Sequence, residues 1–376
     1  MAEASALLWV DDADALAHLA EQVRGAEVGA LDTEGNGMYA WRERVCLLQL
    51  SIPGLDAIVD VLAVDPAPLA SWLADPACVK IMHAADNDVV ALRRDFGLTV
   101  TNLFDTLLAV RLLGRPQRGL ADLLTSELGV ETDKRWQRFD WSKRPLPAEA
   151  IAYARTDTRH LASLRERLMP HIVDSGHLEL FEHACERITR LQARARSFDE
   201  HSWARIGGAR ELDDEARSVL AAMVVLREAL ARENDRAPYR IIGDAGLLAI
   251  AVARPSSRAE LSRIAGVGGP LAHRYAERVL QTIAHARTAP PPPWPGRAPR
   301  APAAFLRRLD ALRTWRRDHA AALGVEADIV LSKDALTGIA EAAPGDLDAL
   351  RACDALDDWE LARFGPALLE CLARPR

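Results

Sequence analysis

The order of apolar and polar positions divides this chain into two kinds of territory. In the first, short apolar runs end in carboxylates or polar turns. VGALD (28–32), RVCLLQLSI (44–52) and AIVDV (57–61) each have the length and composition of a buried strand. PLASWLA then shows helical periodicity, VKIMH (79–83) reads again as strand, and a helix is predicted over about 86–96. From Thr106 onward the pattern is mainly helical. It closes on a long helix over about 148–168, started by Pro147 with Glu149 in its first turn. Strands first and helices later predict an α/β fold, a mixed central sheet with flanking helices.

Beyond about residue 200 the pattern is all-helical, and it repeats. A shift of 89 positions lays IIGDAGLLAIAVARP (241–255) over VLSKDALTGIAEAAP (330–344). Ile241 then meets Val330, Leu247 meets Leu336, Ile250 meets Ile339 and Pro255 meets Pro344. A duplicated small helical domain is expected. Between the copies, APPPPWPGRAPRAPA (289–303) reads as a stiff proline-rich spacer, which implies that the last domain is held off at a distance. The predicted units are 1–200, 210–287, a linker over 288–302, and 303–376.

Composition narrows the class. With 49% hydrophobic and 27% charged residues among 376, the chain reads as soluble and globular rather than disordered. No apolar run approaches the length of a membrane span, and MAEASALLWVDDADALAHLA has no basic leader before an apolar stretch. The five cysteines (Cys46, Cys78, Cys185, Cys353 and Cys371) are scattered without metal-like spacing. That suits a reducing cytoplasm and argues against a zinc site. The net charge of −7 does not advertise a nucleic-acid binder. Residues 1–190 hold 20 Lys+Arg against 29 Asp+Glu, and the remainder hold 27 against 25. Any grip on phosphates in the second half must therefore be local.

The acidic half contains the candidate chemistry. Asp32 and Glu34 lie two apart at the end of a predicted strand, so both leave the same face. Two anions side by side repel and are costly to desolvate, which a divalent cation would relieve. Tyr153 and Asp157, four apart on the predicted helix, share one face a turn apart. In HAADND (83–88) both Asp86 and Asp88 compete for a role, with Asp86 well placed to cap the following helix. His83 reads as a hydrogen-bonded strand-end residue, and Asp105 as another helix cap. Each signal is also what an ordinary acidic surface or amphipathic helix would give. Their common use would be phosphodiester hydrolysis, in which two Mg²⁺ or Mn²⁺ ions held by oxygen ligands clamp the attacking and leaving oxygens. No Gly-rich phosphate loop or Ser/His/Asp arrangement competes. Spacing alone does not select these acids from the many others.

DTE (32–34), HAADND (83–88) and YARTD (153–157) resemble, in order and spacing, the DEDDy exonuclease family. VCLLQLS (45–51), LFDTLLAVRLLG (103–114), LADLLTSELGVETDK (120–134) and DWSKRPLPAEAIAYARTDTRHL (140–161) resemble its ribonuclease D branch, over essentially all of residues 8–190. The resemblance implies a ribonuclease H-like fold and 3′→5′ exonuclease activity releasing nucleoside 5′-monophosphates. It selects Asp88 over Asp86. It implies that Asp32 bridges two metal ions, that Glu34 and Asp157 complete the first site, that Asp88 supports the second, and that Tyr153 orients the attacking water. APYRIIGDAGLLAIAVARP and ELSRIAGVGGPLAHRYAERVL resemble the HRDC domains of ribonuclease D and RecQ-type helicases, and residues 303–374 do so more weakly.

Further expectations follow from the resemblance. The partner is RNA with an accessible single-stranded 3′ end, with tRNA precursors or other structured RNAs as substrates. No membrane and no obligate protein partner is implied. The alternatives are a DNA 3′→5′ exonuclease used in repair and a non-catalytic binding protein of the same fold. Lys134 and Arg144 are candidate backbone contacts, against ordinary surface charge. Trp41, Trp136 and Trp141 are candidate base stackers, against core roles. Gly35 stands where the family commonly has a bulky aromatic, which implies a looser wall around the terminal nucleotide. The first repeat has GVGG (266–269), in which Gly266 and Gly268 either present N–H groups to phosphate or only form a tight turn. The second has ALDD (355–358), whose aspartates would repel phosphate.

Overall fold

The computed structural model describes residues 6–193, 197–267, 273–296 and 301–373. Gly268 lies outside them, as does the side chain of Lys134. Six strands form one sheet: β1 (Ala6–Val10), β2 (Val28–Gly35), β3 (Val45–Ile52), β4 (Leu55–Val59), β5 (Val79–Met82) and β6 (Leu103–Asp105). Their order is β1-β4-β3-β2-β5-β6. β3 runs antiparallel to both β2 and β4, while β2, β5 and β6 are mutually parallel, so the sheet is mixed. Helices α1 (Ala13–Val23), α2 (Ala70–Leu73), α3 (Asp86–Phe96), α4 (Thr106–Leu112), α5 (Leu120–Leu123), α6 (Ala148–Arg159), α7 (Leu161–Asp174) and α8 (Leu178–Thr189) flank it. β3 is buried along nearly its whole length, as its unbroken VCLLQLS run requires of a strand covered on both faces.

Two local expectations are corrected. The helix expected over 148–168 is two helices, α6 and α7, separated at His160. Asp86 does not cap α3: it is the first helical residue, and Ala85 before it makes no side-chain cap. The cap comes from the neighbouring strand. Asp105, at the end of β6, accepts from the N–H of Ala85 at 2.7 Å and of Ala84 at 3.3 Å, and also caps its own helix through the N–H of Leu108 at 2.9 Å. One buried carboxylate thus serves two helix starts.

The helical half shows the duplication directly. Short helices Pro238–Ile241 and Ala327–Val330, and longer ones Asp244–Ala253 and Lys333–Ala342, are again 89 positions apart. Each longer helix ends on a left-handed residue, Arg254 or Ala343, immediately before the matched prolines. Gly266 has φ near +80°, and its carbonyl oxygen would lie 3.0 Å from any Cβ on Gly246. GVGG therefore begins as a tight turn packed on a helix.

The last domain is not held at a distance. The largest apolar core runs from the sheet through Phe104, Phe181 and Cys185 into Ile329, Val330, Leu361 and Phe364 of the second repeat. Arg187 of α8 donates to the carbonyls of Asp328, Ile329 and Val330, the end of a short helix, and pairs with Glu360 at 3.1 Å. Arg111 of α4 pairs with Glu326 at 2.7 Å and with Asp328. Asp357, one of the aspartates of ALDD, meets Arg190 at 2.7 Å and His183 at 2.8 Å. The spacer is itself engaged: Trp294 lies 4.9 Å from Trp203 of the first repeat. A proline-rich segment fixes the local conformation of its own residues, but how far apart the flanking domains sit depends on their apolar faces. The first repeat keeps a separate core around Trp203, Met223, Leu247 and Ile283.

Candidate active site

β2 brings the first pair of acids to the middle of the sheet. Asp32 stands opposite Gln49 and Glu34 opposite Leu47, so both project from one face. Pairing shifts register between Glu34 and Gly35, and the bulge turns the chain out of the sheet directly after the acids. A side chain on Gly35 would begin 3.2 Å from the carbonyl oxygen of Arg44, so the glycine suits this close return.

α6 lies across β2, β3 and β4 and delivers the second pair. Ala150, Ala154 and Thr158, four apart, form its buried stripe, and Tyr153 and Asp157 flank that stripe. The helix is pinned by Arg155 on the buried Asp56 at 2.7 Å and by Thr158 on Ser51 at 2.8 Å. Ser51 in turn donates to Asp56 at 2.8 Å. Asp88 arrives from the first turn of α3, where its carboxylate accepts from the Thr33 hydroxyl between the two β2 acids.

Asp32, Glu34 and Asp157 can place carboxylate oxygens within 4.8 Å of one another. Asp88 stands outside this triplet but still acts on it. Burial raises the Asp32 carboxyl well above the usual range, and Asp88, Asp157 and Glu34 raise it further. Burial, then Asp157 and Asp88, push Glu34 to about 9. Burial pushes Asp157 to about 7 against the opposing pull of the Tyr153 hydroxyl, and Asp88 to about 6 against that of Thr33. The Tyr153 phenol, buried beside three carboxylates and donating to Asp157, is raised above its ordinary value. Among the described residues, no Lys or Arg neutralises the cluster. Its physical requirement is a positive charge with an all-oxygen coordination preference, which is what Mg²⁺ or Mn²⁺ supplies. The residues fit such an ion.

The structure thus gathers Asp32, Glu34, Asp88, Tyr153 and Asp157, and it separates Asp88 from Asp86, which is exposed. It does not make Arg144 a phosphate contact. Its guanidinium donates to Asp60, to the carbonyls of Trp141 at 2.8 Å and Lys143 at 2.7 Å, and to that of Cys46 at 3.2 Å. All five N–H groups are committed inside the protein. Trp141 is fully buried and Trp41 donates its indole N–H to Glu228 of the first repeat at 2.6 Å, so neither stands free as a stacker. Trp136 is half-buried against Phe139 at 5.1 Å. His83 bonds Thr106 at 2.9 Å, and burial lowers it to about 4, so it stays neutral. Sequence reasoning missed Thr33, Asp56 and Asp60. A threonine between two acids, and aspartates one strand away, carry no local signal of their partners.

Residues 7–173 match the family model for a 3′-5′ exonuclease, and residues 216–283 and 305–372 each match the HRDC domain. The chain thus carries a 3′-5′ exonuclease domain followed by two HRDC domains, and a ribonuclease D matches it over nearly its whole length. Ribonuclease D of Pseudomonas paraeruginosa is 27% identical over 97% of both chains. Exosome complex component 10 of Mus musculus is 40% identical over 185 residues, 49% of this chain and 20% of that protein. The solved catalytic core of RRP6 from Trypanosoma brucei superposes with a TM-score of 0.70 at 28% identity, covering 75% of this chain and 80% of the other. The chain spans about a fifth to a third of the length of the first curated relatives it matches. Among the described residues, no helix is long and apolar enough to cross a membrane.

Proposed function

We propose that this chain is a metal-dependent 3′→5′ exoribonuclease that removes nucleoside 5′-monophosphates from RNA ends. The observation that carries the reading is the triplet Asp32, Glu34 and Asp157, half-buried, mutually repelling and with no neutralising cation among the described residues. Two divalent ions bound here, Mg²⁺ or Mn²⁺, would lower the pKa of a water and stabilise charge on the attacking and leaving oxygens. Asp32, Glu34 and Asp157 would hold one ion, with Asp32 shared, and Asp88 would serve the second. Burial and the neighbouring carboxyl groups oppose ionisation of Tyr153, which supports a role as a hydrogen-bonding group that orients water.

The ribose preference rests on the relatives, whose names are those of a ribonuclease and an exosome component. Precursors of tRNA or other structured RNAs are the proposed substrates and the cytoplasm the proposed location, with no obligate protein partner. The proposed units are an exonuclease domain over 1–200, HRDC domains over 210–287 and 303–376, and a linker over 288–302. The test compares 3′-tailed RNA and DNA, each labelled at the 5′ end, with Mg²⁺ and with Mn²⁺. A descending ladder on RNA is expected. An equal ladder on DNA would favour the DNA-repair reading, and internal cuts or loss of the 5′ label would overturn the proposal.

A further inference from the structure

The loop over 36–44 leaves the sheet two residues after Glu34 and returns as β3. It is tied to itself at its neck: buried Asn36 accepts from the N–H of Arg44 at 2.9 Å through its side chain, and from those of Tyr39 at 2.7 Å and Ala40 at 3.0 Å through its carbonyl. Several of its other polar groups are taken by the first HRDC domain. Ala237 donates its N–H to the Tyr39 carbonyl at 2.9 Å. The Met38 carbonyl accepts from the Tyr239 hydroxyl and from Arg240 at 3.0 Å. The Arg42 N–H reaches Asp235 at 2.8 Å, and Trp41 reaches Glu228 with Arg232 above its ring.

Tyr39 is where these contacts converge. Its ring carries the Arg240 guanidinium 3.8 Å from the centroid, and its hydroxyl donates to the carbonyl of Arg138 in the other wall of the site. Arg138 sits in a segment whose rings form a ladder. Trp136 meets Phe139 at 5.1 Å, Phe139 meets Trp141 at 5.2 Å, and Trp141 stacks on Tyr153 at 6.2 Å and 27°. One side chain thus joins the helical domain, the loop that follows Glu34 and the aromatic wall that ends on Tyr153.

We propose that Tyr39 is a positioning residue through which the first HRDC domain holds both walls of the active site, so that this domain sets the rate of the chemical step. The proposal rests on the exonuclease reading for its effect on turnover, but not for the mechanical link. Placement errors of an ångström at such a site cost large factors in rate even when the reacting groups are intact.

The test uses the full chain and two variants, Arg240→Ala and Tyr39→Phe, with two readouts. The first is amide hydrogen exchange over 36–44 and 134–139. Arg240→Ala should speed exchange in both segments. Tyr39→Phe keeps the ring over Arg240 but loses the bond to Arg138, so it should speed exchange mainly in 134–139. The second readout is turnover of a dinucleotide, which offers no chain to bind the helical domain, beside a longer RNA. For Arg240→Ala, kcat on both substrates should fall by about ten- to a hundredfold with KM little changed. Unchanged exchange in both segments would overturn the proposal. So would a loss confined to the longer RNA and expressed in KM, which would make Arg240 an RNA contact instead. A wild-type protein that releases no mononucleotide would sink the exonuclease reading, and the exchange data would still decide the link.

Discussion

Asp357 of the second HRDC domain accepts a hydrogen bond at 2.8 Å from His183 of the exonuclease domain, whose ring stacks on Trp359 at 4.2 Å. The ALDD turn of the second repeat is therefore a docking point, and Asp357 is explained without reference to phosphate. Arg190 on the same carboxylate adds a charged partner. Replacing Asp357 with Ala is expected to cost about 1–3 kcal/mol, because it leaves a buried histidine without its acceptor. Thermal melts should show a lower midpoint while the first HRDC domain is unaffected. A chain cut before Ala301 should be poorly soluble, since it uncovers the apolar face around Phe181. A soluble truncation of unchanged stability would contradict the shared core.

Arg144 and Asp60 form the second structural pair to test. Asp60 is only 5% exposed, so removing the guanidinium strands a buried carboxylate. Arg144→Ala should destabilise by about 3–5 kcal/mol. Lys should rescue poorly, having three donors for a five-donor site. The salt dependence of RNA binding by the folded fraction should not change. A lower salt slope with normal stability would return Arg144 to the phosphate-binding role.

The carboxylate cluster makes the metal-free protein pH-sensitive in a defined direction. Glu34 has a folded-state value of about 9, above the ordinary glutamate range. A carboxyl raised by folding contributes fully below its unfolded value, and its contribution is lost as the pH rises toward the folded one. In chelator, stability should thus decline between about pH 5 and pH 9. Glu34→Gln should remove part of that decline and raise the midpoint at pH 8.5 by a few degrees, roughly 2–4 °C per kcal/mol recovered. Added Mn²⁺ should stabilise the wild type and not the variant. Scanning melts with and without chelator decide this, and a variant less stable than wild type in chelator would refute the repulsion argument.

Asp157→Asn separates catalysis from binding. It should lower turnover by about a hundredfold or more while RNA retention in a filter or shift assay persists. Retained turnover would remove Asp157 from the site, and lost binding with an intact fold would make it a substrate contact.

Much of this molecule was legible from order alone. Asp32 with Glu34 required only a strand, and Tyr153 with Asp157 only a helix, because each pair lies within one repeat of its element. The 89-residue duplication was visible because matched helices bury matched positions. Asp88 was different: on sequence it was indistinguishable from Asp86 without the family pattern. Distance in the chain hid what separates them, a hydroxyl on Thr33 reaching across from β2 and an Asp105 that takes over the capping of α3.

The sequence by itself determined the elements, the duplication and the acids able to carry metal chemistry. These depend on periodicities of two and of about 3.6 residues, which are local. Only the tertiary structure decided the rest: that Arg144 faces inward, that Trp41 belongs to an interdomain contact, and that the second HRDC domain shares the exonuclease core. Those outcomes depend on which groups distant in the chain are buried together. A buried charge must then be paired and a buried donor satisfied by whatever the fold brings near, and no spacing along the chain records that neighbour.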